Sequence, residues 1–243
     1  MVGHVTAFDA EAFGTELTTS SAAAHAYALR LAKDGDATAQ TIVGQMFLDG
    51  QGCDAQPSEA VYWFMQAAHL ASPMAMNMLG RCHENGWGAV VNHELAAVWF
   101  RRAAEHGLDW GMYNYAHVLE QGRGVRENRA AAFEWFGRAA AVGHARAMCF
   151  LARYYEHGWE TAQDVLRAYA LYEASANAGD YRGECAWASV LAGQGRHDEA
   201  RAFLARGLSK APESFISAMK DVLLADPVSE VRALSSLCDG PLG

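Results

Sequence analysis

Apolar and small residues fall at helical spacing along this chain, and the helical segments themselves return every 36 residues without slipping over four and a half copies. In the copy from Trp110 to Ala145, Gly111, Tyr115, Ala116 and Leu119 lie on one helical face, and the segment stops at Gly122, a residue suited to the left-handed turn after a helix. A second segment lines up Ala132, Trp135, Phe136, Ala139 and Ala140 and stops at Gly143. The spacing predicts two helices per copy, A and then B. Other copies repeat the rows: Gly44, Gly80, Ala152 and Ala188 match Ala116, while Phe64, Phe100 and Tyr172 match Phe136. Such a period marks a stacked array rather than a closed globule.

Small residues at 116, 139 and 140 let the helices approach, and Trp135 and Phe136 fill the space between successive pairs. Both ends depart from the pattern in ways that suit caps, which an array needs to cover its terminal apolar faces. At the front, Ala24, Tyr27, Ala32 and Gly35 keep the phase as a lone helix B. At the back, Pro212 to Leu224 and Pro227 to Leu237 read as two helices opened by proline, which either cap the array or dock to something. The expected boundaries are a cap over 1–36, five repeats over 37–207 and capping helices over 208–243.

The run AMNMLGRCHENGWGA beginning at Ala75, followed by AAVWFRRAAEHG beginning at Ala96, resembles the Sel-1-like repeat, a helix-turn-helix unit related to the tetratricopeptide repeat. Copies starting near Ala39, Gly111 and Ala147 are similar. A fifth near Gly183 has Gln194 on the glycine row and its second helix about four residues early. The resemblance spans Ala24 to Gly207. It implies an all-α fold, a right-handed α-solenoid of stacked antiparallel helix pairs with helical caps.

Charge narrows the partners. With 28 acidic and 19 basic residues the formal net charge is -9, against the clustered Lys and Arg that phosphate backbones require, so nucleic acid is not expected. The first residues lack a basic start and an apolar run, and no stretch approaches the roughly 20 apolar residues of a membrane span, which predicts a cytoplasmic protein. Cys53, Cys82, Cys149, Cys185 and Cys238 show no C-x-x-C spacing and suit reduced thiols. Cys149 and Cys185 share one repeat position, which would make them neighbours.

Catalytic signatures start and fail. His93 and Glu94 open a zinc-protease motif whose second histidine is replaced by Ala97, and Ser217 with Lys220 spells S-x-x-K without the K-T-G that completes it. The Gly-x-Gly pairs at 50, 86 and 122 follow helices, not strands, and read as turns rather than phosphate cradles. His83 lies on a row of apolar residues and reads as a packed histidine. Trp87 and Trp159, in the loops, either stack on a partner or pack on the next repeat. No catalytic residue and no cofactor is expected.

By the tetratricopeptide resemblance, helix A positions pointing away from helix B face a concave groove. One row there reads Gln45, Arg81, His117, Arg153, Ser189, and three residues on another reads Leu48, Glu84, Glu120, Glu156, Ala192. Beside them run Asn77 with Tyr113, and Asn85 with His157. Each Arg or His is expected to meet the Glu three positions later. The plain alternative is a solvated face of weak ion pairs. Asn77, Arg81, Glu84, Asn85, Tyr113, His117, Glu120, Arg153, Glu156 and His157 are the candidate contacts to a protein or extended peptide. His117, Glu120, Glu156 and His157 would hold a divalent metal only if two repeats converged, and no metal is expected. The other readings are a metal-handling or enzyme-associated accessory and a weak hydrolase of β-lactams.

Overall fold

A computed structural model describes residues 7–225 and 232–239, and among these every regular element is a helix. The α-helices are α1 (Ala10–Thr19), α2 (Ser21–Lys33), α3 (Ala37–Asp49), α4 (Pro57–His69), α5 (Pro73–Asn85), α6 (His93–Glu105), α7 (Asp109–Gln121), α8 (Arg129–Ala141), α9 (Ala145–His157), α10 (Val165–Asn177), α11 (Tyr181–Gly193), α12 (His197–Lys210) and α13 (Glu213–Ala225). A short 3-10 helix, Leu234–Asp239, follows. They form two compact units, one ending at Asn128 and the other starting at Arg129.

In the first unit each of α1 to α6 packs on the next, and the A helices α5 and α7 also meet. Hairpin turns are made by repeated chemistry. Asp36 and Ser72 cap α3 and α5 by accepting from backbone N–H groups of the first turn, and Gly50, Gly86 and Gly122 end the A helices in the left-handed conformation. The core is the aromatic and alanine rows: Phe64, Phe100, Ala67 and Ala103 are all at most 1% exposed. Gly44 and Gly80 lie directly under the rings of Phe64 and Phe100, where an added methyl group would sit 2.6 and 2.5 Å from ring carbons.

The second unit repeats this logic. α8 packs on α9, α9 on α10, α10 on α11 and α11 on α12, while α9 meets α11 and the 3-10 helix touches α12 and α13. Phe136, Ala139 and Tyr172 are buried. Ser175 takes an alanine-row position and spends its hydroxyl on the Ala145 carbonyl at 2.7 Å. Glu184, 2% exposed, is neutralised by Lys210 at 2.9 Å and Arg206 at 3.3 Å.

Three points differ from the sequence reading. A helix α1, capped by Asp9, precedes the lone helix expected at the front, and Phe8 and Phe13 bring it against Tyr27 and the first core cluster. Trp63 is buried at 9%, but Trp99 and Trp135 are only half-buried, and the face of each ring is met by an arginine one turn later, Arg102 at 5.0 Å and Arg138 at 4.5 Å, where the first copy has Gln66. α12, by contrast, starts at 197, four residues before the 201 that the period from α10 would give, which is the early start expected from the sequence; α11 ends at the Gln194 cap without the left-handed conformation and the loop is shorter. The helix expected from Pro227 begins outside the described residues, and its described end is the 3-10 turn.

Candidate functional site

In the first unit, α3, α5 and α7 end on a common Gly, so the last turns of three A helices and the loops after them carry matching positions. Between these faces lie two recesses. One, of about 310 Å³, is lined by Gln45, Leu48, Asp49, Pro57, Met78, Arg81 and Trp87. The other, of about 220 Å³, is lined by Glu84, Phe100, Tyr113, Asn114, His117, Gln121 and Arg123.

The polar groups are organised by named partners. The Gln45 amide donates to Asp49 at 2.7 Å, and the Asn85 amide donates to the Arg81 carbonyl at 2.9 Å. The Arg81 guanidinium lies 4.8 Å from the centre of the Trp87 ring. Glu84 pairs with Arg123 at 3.2 Å. Asn77, 4% exposed, accepts from the Asn114 amide at 2.8 Å, and Tyr113, 7% exposed, meets His117 edge to face at 4.7 Å. His117 is 3.6 Å from Glu120.

In the second unit, Arg153 lies over Trp159 at 5.7 Å and Arg129 over the same ring at 4.8 Å. His157 meets the same ring at a tilt of 34°, with ring centres 4.6 Å apart. Glu156 accepts from the Tyr172 hydroxyl at 2.7 Å and is 3.8 Å from His157. Burial, and then the Glu156 contact, raise the Tyr172 phenol above its usual range.

The expected Arg or His to Glu pairing at three residues therefore forms once, at His117 and Glu120. It fails at Arg81 and Arg153 because each acid finds a partner from another element, Arg123 for Glu84 and Tyr172 for Glu156. Arg81, Asn85, Arg153 and His157 are exposed, Glu84, His117, Glu120 and Glu156 half-buried, and Asn77 and Tyr113 sit beneath the surface. Sequence reasoning passed over Arg123 and Asn114. The first was detectable as a charge at the loop position of Trp87 and Trp159; nothing marked Asn114. Trp87 and Trp159 both carry an arginine on a ring face, and the His83 ring sits beside the Val90 carbonyl at 3.5 Å.

Among the described residues no three His, Cys, Asp or Glu side chains gather as a metal-binding group. His117 with Glu120, and Glu156 with His157, are separate pairs in separate units. Ser217 gains no base from Lys220, whose ammonium is hydrogen-bonded by Asp239 and thereby held protonated further into the alkaline range.

Three thiols are buried and free: Cys82, Cys149 and Cys185. Burial pushes Cys82 up to about 11 and the other two to about 12, from an ordinary 9.0. Above pH 9 the unfolded chain releases these protons while the folded chain keeps them, so their contribution to stability is complete below that value and is lost as pH rises through the folded pKa values. Thermal melts from pH 7 to 11 should show a steepening loss, up to about 1.4 kcal/mol per pH unit for each thiol. Cys149→Ala with Cys185→Ala should flatten it; an unchanged alkaline slope would contradict the assignment.

Against known proteins, the family model described as the Sel1 repeat matches residues 37–72, 73–108, 111–144 and 145–180. A solved Sel1 repeat protein from Oxalobacter formigenes superimposes with a TM-score of 0.78 at 20% identity, over 95% of this chain and 99% of that one. A protective antigen of uropathogenic Escherichia coli displaying an SLR fold gives 0.72 at 20% identity over 93% of this chain, which spans about half, 52%, of the antigen's length. An immunity protein from Pseudomonas aeruginosa, Pa5087, gives 0.54 at 15% identity, covering 98% of this chain and 86% of that one. No curated protein matches the chain. At these identities the likeness is one of fold, the all-helical solenoid of stacked helix pairs.

Proposed function

Because the chain belongs to the Sel1 repeat family, a fold that presents one polar helix face per repeat, we propose that it is a scaffold without catalysis that holds a protein or an extended peptide against its A helices. The observation that supports this reading most is the pair of recesses beside α5. Each combines aromatic or apolar walls with side-chain donors and acceptors at its rim, Gln45 and Arg81 in one and Asn114, His117 and Gln121 in the other. Peptide segments are held by that combination: side chains enter pockets while amides and charged groups fix the backbone.

On this reading Arg81, Glu84, Asn85, His117, Glu120, Arg153, Glu156 and His157 contact the partner, and Asn77 and Tyr113 support them from below. Residues 1–36 and 208–243 act as caps around five repeats over 37–207, the fifth being α11 with α12. No helix among the described residues is long and apolar enough to cross a membrane. The free cysteines suit a reducing compartment, the cytoplasm.

The test is selection from a phage-displayed library of random peptides. Enriched peptides should bind the chain roughly tenfold or more weakly when Arg81→Glu and Arg153→Glu are combined, since each loses a charged contact. Both side chains are exposed, so the melting temperature should hold. Tyr113 is unsuitable as a probe because its removal would open the core. No enrichment, or equal binding by the charge-reversed protein, would contradict the proposal.

A further inference from the structure

We infer that the pairs Arg81 with Trp87 and Arg153 with Trp159 are two anchors at matching repeat positions, each taking an acidic side chain of a bound peptide, with the peptide's neighbouring aliphatic residue lying against Trp87 in the first. This rests on the peptide-holding reading and specifies what the peptide must contain.

The two pairs occupy the same repeat positions, 72 residues apart. In both, the same helix offers a glutamate three residues after the arginine, and in both that acid is engaged elsewhere, by Arg123 at 3.2 Å or by the Tyr172 hydroxyl at 2.7 Å. Neither arginine has a carboxylate within ion-pair distance among the described residues. The Arg81 guanidinium carbon lies over the Trp87 ring, 4.8 Å from its centre, and one of its N–H groups faces the Met78 sulfur at 3.9 Å. A guanidinium has five N–H donors, so those not facing the sulfur are left for a planar acceptor, and a carboxylate fits such an edge with two parallel bonds. Arg81 also lines the larger recess, whose walls include Leu48, Met78 and Trp87, apolar surface of the kind an aliphatic side chain covers. Asp49, the carboxylate lining that recess, is held by Gln45 at 2.7 Å and makes no ion pair with Arg81. The third copy provides the contrast: its His117 does pair with Glu120, and its loop carries Arg123 in place of the tryptophan.

The experiment uses two blocked synthetic peptides, acetyl-Gly-Leu-Glu-Gly-amide and the same peptide with glutamine for glutamate, titrated at millimolar concentration into chain labelled with ¹⁵N at tryptophan. Indole signals are assigned with Trp87→Phe and Trp159→Phe. The glutamate peptide should shift both indoles and bind roughly tenfold more tightly than the glutamine peptide. Arg81→Gln should abolish that preference at Trp87 alone, and Arg153→Gln at Trp159 alone. Equal shifts by the two peptides, a preference that survives Arg81→Gln, or no indole shift at all would overturn the inference. Peptides selected from the library that need Arg81 and Arg153 yet contain no acidic residue would overturn it while leaving the scaffold reading in place.

Discussion

Replacing Gly88 by alanine is expected to destabilise the fold by about 2 to 5 kcal/mol, the sum of a left-handed backbone penalty and a forced contact. Gly88 has φ 68°, and a Cβ there would stand 2.0 Å from the Pro57 carbonyl oxygen and 2.6 Å from the Ser58 nitrogen. Those atoms are the first turn of α4, so no side chain can move aside. The same approach recurs at Gly52 over Ser21 and Gly124 over His93, at 2.0 and 2.1 Å. The second glycine of each Gly-x-Gly thus seats a loop on the start of the preceding repeat's helix B, or of α2 for the first. Gly107 is the control, with φ 85° and nothing within 4 Å of the added carbon, and should show only the backbone cost of about 1 to 2 kcal/mol. Urea denaturation of Gly88→Ala and Gly107→Ala separates the two terms. Equal losses would mean that close approach is not why the glycine is there. The fourth copy carries Glu160 at this position with φ 55°, so a residue with a side chain can adopt the conformation where the joint permits.

Phe100→Ala should cost about 3 to 5 kcal/mol, because the ring is 1% exposed and its removal leaves a cavity between α5 and α6. The informative result is its coupling to Gly80. In the intact protein Gly80→Ala presses a methyl group to 2.5 Å from the Phe100 ring and should destabilise. With the ring gone, the methyl group fills vacated space, and alanine favours a helix over glycine by about 1 kcal/mol, so the same change should become neutral or stabilising. A double-mutant cycle reads this change of sign directly. An identical cost in both backgrounds would show that the glycine row does not exist to admit the aromatic row.

The repeat was legible because its determinants are local. Alanine, aromatic and glycine rows state which face is buried and where each helix stops, and the structure places Phe64, Phe100, Phe136 and Tyr172 accordingly. α1 was not legible: Phe8 and Phe13 stand 36 residues before Gly44 and Asp49 but match neither row in residue type, and the helix itself buries no residue. The tryptophan row does not share one environment: Trp63 is buried while Trp99 and Trp135 are half-buried, each meeting an arginine from a position off the row. The site was legible as a set of positions but not as a set of contacts. Helical spacing brings Arg81 near Glu84, yet it cannot weigh that pair against Arg123 arriving from a loop, or Glu156 against Tyr172 arriving from α10. Competition between partners on different elements is settled by packing, which a single helix does not record.

The central claim is that partners are held on the A helices and not on the outer faces of the B helices. Those B faces are the serious competitor, because Tyr62, Leu95 and Val98 expose 52%, 42% and 40% of their surface. Backbone amide chemical shifts, recorded while a library-selected peptide is titrated in, decide between them. The account predicts perturbations concentrated at the last turns of α5, α7 and α9 and in the loops that carry Trp87, Arg123 and Trp159. Perturbations centred on Tyr62, Leu95 and Val98, with Arg81 and Trp87 unmoved, would contradict it.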